Sequence, residues 1–194
     1  SLSYNHFQDV VSDAQGKSLR ECAPLLGLEN MTGGQYFQQW RALLFAMAES
    51  ERFGRMRLHD YVNEVDEERI IQFSALTAEM EDGSTFVAFR GTDNTLVGWR
   101  EDFHMSFETP VPAQVEALAY LRRQAERTER PLRVAGHSKG GNLAAYAAAH
   151  LPPEIQRRIL SVCSFDGPGL DEDTMNSPGY ERIRPVLHSV LPQS

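Results

Sequence analysis

Residues 132–149 constrain the fold of this chain more than any other stretch. The apolar run Leu132 to Ala135 passes into Gly136-His137-Ser138-Lys139-Gly140 and continues without a break into the small-residue stretch Asn142 to Ala149. A short apolar run reads as a buried strand and the Ala-rich stretch as a helix, so the five residues between must turn one into the other. So abrupt a turn has no room for side chains on its flanks, which is what glycine at 136 and 140 supplies. The residue at its apex projects a hydroxyl at the carboxyl edge of a sheet, the pattern of a nucleophile elbow. The same glycines would also serve a plain turn that packs a helix close on a strand. Read as an elbow, Ser138 is the nucleophile and the backbone N–H of Lys139 is one donor to a developing oxyanion. The Lys139 amino group is expected in solvent. His137 adjoins Ser138 in sequence and is expected to point away from its hydroxyl.

The remaining elements are arranged around this unit. Tyr36, Phe37, Trp40, Leu43, Leu44 and Met47 recur at helical spacing after Gly33-Gly34, which predicts a core-facing amphipathic helix. Tyr4, Phe7, Val10 and Val11 suggest a shorter one, and residues 1–62 read as a helical N-terminal region. From Arg69 the pattern changes. Ile70 to Met80 and Thr85 to Arg90 are strand-like runs joined by Glu81-Asp82-Gly83-Ser84, an antiparallel hairpin by its turn chemistry. Helical pieces from Val97 to Phe107 and Ala113 to Arg127 then alternate with the elbow strand, the elbow helix and a strand from Ile159 to Phe165. A short helix over 179–184 and a last strand over 185–190 complete the pattern. Strands separated by helices predict a mainly parallel sheet covered on both faces: a three-layer α/β sandwich with the hairpin at one edge. One domain is expected over 1–194, with its core at 69–194.

A serine nucleophile needs a base, an acid that orients the base, and donors aimed at the oxyanion. The strand Thr85 to Arg90 ends in Gly91-Thr92-Asp93, where glycine lets the backbone turn and present N–H groups at the sheet edge. Thr92 N–H is therefore the second oxyanion donor; an ordinary strand end, with Asp93 and Asn94 capping the next helix, is the alternative. Asp166 follows the run Ile159 to Phe165 and precedes Gly167-Pro168-Gly169, which places a carboxylate at a strand's carboxyl end and makes it the candidate acid. It could instead be a loop Asp held in its own turn. Asp171, Glu172 and Asp173 lack metal-loop spacing and read as a solvated loop. The candidate base is His188, the one His after Asp166, although a base lying beyond Ser194 fits the pattern better. Trp99, Phe103 and Phe107 share a helical face that is either a lid or, preferably, a buried flank.

Composition narrows the partners. A formal net charge of −8 with scattered Arg disfavours nucleic acid and anionic membrane surfaces, which call for basic patches. Cys22 and Cys163 have neither disulfide-framework nor metal spacing. No 18-residue apolar stretch is present, and Ser1 to Gln8 lacks the apolar core of a signal peptide, so a cytoplasmic setting is expected.

Phe86-Val87-Ala88-Phe89-Arg90-Gly91-Thr92 and Gly136 to Ala144, with the spacing between them, resemble the class 3 lipase branch of the α/β-hydrolases over residues 69–194. Trp99 to Phe103 and Phe165-Asp166-Gly167-Pro168-Gly169-Leu170 are similar, more narrowly, to a bacterial lipase-like family without an established substrate, in which a helical region precedes the core. The resemblance implies a serine hydrolase fold with oxyanion donors near Thr92 and the nucleophile at Ser138. The chain departs from class 3 lipases at Asp166-Gly167-Pro168, where those carry Gly-Ser-Pro, and their usual acid on the next strand has no clear match around residues 188–193. In the narrower family the chain continues past this point and includes a His. The expected function is hydrolysis of small acyl esters, lipid esters or thioesters through an acyl-enzyme on Ser138, with no metal or organic cofactor. A non-catalytic binding module with the same fold is the alternative, and a protease or acyltransferase the third reading.

Overall fold

A computed structural model describes residue 11 and residues 16–27, 35–92, 98, 100 and 109–192. In chain order the elements are β1 (Lys17–Ser18), α1 (Leu19–Cys22), α2 (Gln35–Glu49), α3 (Glu51–Gly54), β2 (Arg57–Asp66), β3 (Ile71–Glu79), β4 (Thr85–Phe89) and α4 (Pro112–Glu126), followed by β5 (Leu132–His137), α5 (Lys139–His150), α6 (Pro153–Gln156), β6 (Ile159–Phe165), α7 (Glu172–Met175), α8 (Pro178–Ile183) and β7 (Leu187–Val190). The strands form one seven-stranded sheet in sequence order. Pairings from β1 through β4 are antiparallel and those from β4 through β7 are parallel. The fold is α/β, but the sheet is evenly mixed, not mainly parallel as expected.

The difference lies in β2. Helix was expected through residue 62, yet helical structure stops at Gly54, and residues 57–66 pair with β3 over nearly its whole length. β3 supplies the physical reason: eight of its nine residues are buried, so a strand whose two faces are both covered needs a hydrogen-bonded neighbour on each side. Tyr61, Val62 and Val65 give β2 the residue types that suit a pleated surface. The hairpin of β3 and β4, by contrast, forms as expected, in the register Glu79↔Thr85 to Ala75↔Phe89.

Two cores form on opposite faces of the sheet. On one, Phe73 and Phe89 meet Tyr120 of α4 with ring centroids 6.1–6.2 Å apart, and Leu143, Ala144, Ala147 and Ala148 of α5 pack alongside. Such small side chains let α5 lie close on the strands. On the other face, Leu58, Leu76 and Ala78 pack against Leu19, Cys22 and Leu26 at the start of the chain and against Phe37 and Ala48 of α2. The stripe expected on α2 is rotated. Phe37 is buried and Leu44 and Met47 are partly buried, but Trp40 and Leu43 are 56% and 62% exposed. Contact runs instead through Phe37, Leu44, Phe45, Met47 and Ala48, and this leaves the flank that carries Trp40 and Leu43 uncovered. Tyr4, Phe7 and Val10 lie outside the described residues. No helix among them is long and apolar enough to cross a membrane.

A bulge between His59 and Val62 places Asp60 at φ 54°. Its carboxylate accepts from Arg127 Nη1 at 2.7 Å and lies 2.8 Å from His59 Nδ1. Burial raises its pKa, but the hydrogen bonds from Arg127 and His59 outweigh burial and hold the carboxyl below its ordinary value of 3.8. A carboxyl depressed in the folded state contributes stability that is present above its unfolded pKa and is lost as pH falls through the folded one. The thermal midpoint is therefore expected to fall as the pH drops below about 3.8, and to fall less steeply in Asp60→Asn. Melts with the same slope in both proteins would rule out Asp60 as a source.

Candidate functional site

β5 leads directly into α5, and the turn between them holds Ser138 at φ 54°, ψ −130°. A non-glycine residue in this region carries strain of about 1–3 kcal/mol, which the surrounding structure has to hold. Ser138 N–H donates to Phe165 O at 2.8 Å, and Ser138 O accepts from Gly141 N at 2.8 Å, so the apex is tied to β6 behind it and to the helix ahead. The flanking glycines are needed for proximity. A Cβ on Gly136 would overlap Gly140 O, and one on Gly140 would overlap Phe89 O of the neighbouring strand. The strand-to-helix turn expected at residues 136–140 is thus present, with Ser138 half-buried.

The loop after β4 lies against this apex. A Cβ on Gly91 would come 2.6 Å from His137 O and 3.3 Å from Ser138 Cβ, so glycine is what allows Gly91-Thr92 to approach the hydroxyl-bearing residue. Asp93, Asn94, Trp99, Phe103 and Phe107, with which capping and lid roles were associated, lie outside the described residues. Lys139 departs from expectation. Its side chain is not in solvent but 1% exposed, with Nζ donating to Gln72 O at 2.6 Å and Gln72 Oε1 at 2.7 Å on β3. Lysine is almost never buried without partners, and Gln72 provides two acceptors at once. No motif marks Gln72. A lone Gln in the run Ile71 to Ala75 was the available signal.

Asp166 arrives beside Ser138 because β5 and β6 are parallel neighbours in the register His137↔Phe165. It too is held at positive φ, 53°, and its N–H donates to Val190 O at 2.7 Å while the side chain is exposed. The loop that follows is pinned from below. Asn142 Nδ2 donates to Gly169 O at 2.9 Å, Asn142 Oδ1 accepts from Gln114 Nε2 at 2.9 Å, and Gln114 Oε1 accepts from Val111 N–H at 3.0 Å. A Cβ on Gly167 would overlap Ser164 Oγ and reach Asn142 N at 3.0 Å, so this loop seats against the first turn of α5. The sequence reading passed over Asn142 and Gln114. Each is a polar residue at a helix position that faces the core. Asp171, read as a solvated loop residue, instead caps α7 by accepting from Thr174 N at 2.8 Å.

Ser138, Lys139, Thr92 and Asp166 therefore meet at the carboxyl edge of the parallel strands, and His188 does not join them. It sits on β7 in register with Cys163, and its side chain is exposed. Two strand spacings and three residue rises separate it from Ser138, about 14 Å between Cα atoms, and a His–Ser hydrogen bond spans about 10 Å at most. Among the described residues no hydrogen bond joins Ser138 Oγ, Asp166 and His188, and no cluster of three His, Cys, Asp or Glu side chains is placed to hold a metal ion. A cavity of about 310 Å³ lined by His59, Asp60, Gln124 and Arg127 opens at the opposite, amino-terminal edge of these strands.

A model of the Mbeg1-like family matches residues 47–194, well over half of the chain. The chain belongs to the Mbeg1-like family. The matched region begins within α2 and takes in β2 through β7, so all four of the residues that meet at the sheet edge fall inside the Mbeg1-like part. No curated protein and no solved structure matches the chain.

Proposed function

We propose that this Mbeg1-like chain is a serine hydrolase of α/β-hydrolase-like, three-layer architecture. Its substrates are carboxylic esters, small or lipid, or thioesters. The supporting observation is the strained apex: Ser138 at φ 54° between a strand and a helix, with Gly91 packed on its Cβ. In this reading Ser138 Oγ attacks the acyl carbonyl and forms the tetrahedral intermediate, and its proton passes through a base to the leaving alcohol or thiol. Water then attacks the acyl-enzyme, releasing the carboxylic acid and restoring the hydroxyl. Thr92 and Lys139 present backbone N–H groups to the oxyanion, and Asp166 orients the base and balances the charge that forms on it. The base is a His other than His188. A reducing, cytoplasmic setting is part of the reading, consistent with the free thiols Cys22 and Cys163.

A second reading, a binding module that retains the elbow without catalysis, draws on the distance of His188 from Ser138. Intact-mass detection of a fluorophosphonate adduct separates the two, because the probe reports an activated serine without requiring the substrate. One adduct on the wild type and none on Ser138→Ala is the expected result. Absence of an adduct on folded wild-type protein would overturn the hydrolase and select the binding module.

A further inference from the structure

The cavity at the amino-terminal edge of the parallel strands lies far from Ser138. Thr85, in its wall, precedes Gly91 by six residues of nearly extended chain, about 20 Å. Consecutive strand residues point to opposite faces, yet His59 and Asp60 both line this cavity, because the bulge between His59 and Val62 turns Asp60 to φ 54°. His59 Nδ1 donates its proton to the Asp60 carboxylate at 2.8 Å, so Nε2 of the neutral ring is an acceptor. That Nε2 is buried without a hydrogen-bond partner, and Glu79 Oε1, 4.0 Å away, is beyond hydrogen-bond reach. Gln124 of α4 also lines the cavity. It is 2% exposed, and its Nε2 too is buried without a partner. A leucine at 124 would fill the same volume and leave no buried donor unsatisfied, so the fold alone does not call for this amide.

We propose that this cavity binds a small neutral polyhydroxyl compound of monosaccharide size through His59 Nε2, Glu79 and the Gln124 carboxamide. The charges in the wall argue for neutrality: Asp60 is matched by Arg127 at 2.7 Å, and Glu79 Oε2 by Arg130 Nη1 at 3.3 Å. An ionic ligand would break this balance. What the wall lacks is a hydrogen-bond donor for each of two neighbouring acceptors, His59 Nε2 and Glu79 Oε1, and an acceptor for the Gln124 amide. Adjacent hydroxyl groups supply all three, since each both donates and accepts. A volume of about 310 Å³ equals the share of about ten waters in the liquid, which suits a single sugar or inositol ring. The site is separate from Ser138, and it stands whether or not Ser138 is a nucleophile.

The test titrates D-glucose, D-galactose, D-mannose and myo-inositol into nitrogen-15-labelled protein and follows the side-chain amide resonances of Gln124, with calorimetry for the affinity. Inorganic phosphate and methylammonium are the anionic and cationic controls. At least one polyol is expected to shift the Gln124 resonances saturably, with a Kd of about 1 mM or below, and neither control to do so. Gln124→Leu is expected to weaken that binding about tenfold or more while its unfolding midpoint stays at or above that of the wild type, because no buried donor is left unsatisfied. Glu79→Ala, at a partly exposed position, is expected to weaken it about tenfold, and it decides the matter alone should Gln124→Leu not fold. No saturable shift with any of the four polyols would overturn the proposal. So would binding of phosphate or methylammonium in their place, or wild-type affinity in either folded variant.

Discussion

Gly140→Ala is expected to destabilise the fold by about 4 kcal/mol or more, enough to unfold a domain of ordinary stability. The added Cβ would overlap Phe89 O and lie 2.9 Å from Arg90 C. Both are backbone atoms at the carboxyl end of β4, so no side chain can swing aside to make room. Relief would require α5 to lift from β4, and α5 carries Leu143, Ala144, Ala147 and Ala148 into the core. The control is Gly169→Ala, where a Cβ meets nothing within 4 Å; it is expected to stay within about 0.5 kcal/mol of wild type. Urea denaturation of the three proteins checks this. Equal midpoints would mean that the close crossing of β5, α5 and β4 does not set the stability of the fold.

On the proposed serine-hydrolase reading, Asp166→Asn is expected to lower the rate of acyl-enzyme formation about a thousand- to ten-thousandfold with no change in melting temperature. The two effects separate because of where Asp166 sits. Its side chain is exposed and makes no hydrogen bond among the described residues, while its backbone is fastened by Val190 O and stands at φ 53°, which Asn tolerates as well as Asp. Asn therefore preserves the shape and removes only the charge, which in the proposed mechanism would leave the base without a partner for the positive charge it acquires. The measurement is the labelling rate constant beside a thermal melt. Labelling at the wild-type rate in Asp166→Asn would remove it from the machinery and leave it as a strand-end residue.

Local pattern carried far in some places and not in others. The strand-to-helix turn was legible because its apolar run, its glycines and its Ala-rich continuation are adjacent in sequence, and Gly136 is crowded by Gly140 O just four residues on, although the crowding at Gly140 itself comes from Phe89 O on the neighbouring strand. The β3–β4 hairpin was legible for the same reason, since Glu81 to Ser84 spell out the turn. β2 was not, because residues 57–66 have no decisive alternation of their own and become a strand by pairing with β3. The α2 stripe was legible as a helix, yet the face that it turns inward depended on what packs against it, and Trp40 and Leu43 went to the flank.

The amino-acid sequence by itself determined that a strand must turn into a helix at Ser138, that a glycine ends the strand before Thr92, and that an Asp closes the run ending at Phe165. Each follows from the sterics of neighbouring residues or from the residue types at a strand end. Only the tertiary structure decided that β5 and β6 lie side by side in the register that sets Asp166 next to Ser138, and that His188 is carried to the row of Cys163, out of reach of Ser138. It alone decided that Lys139 turns inward to Gln72, 67 residues away in the chain. These outcomes depend on which strands pair and in what register, and that is a property of long-range hydrogen bonding and burial, which no window of neighbouring residues contains.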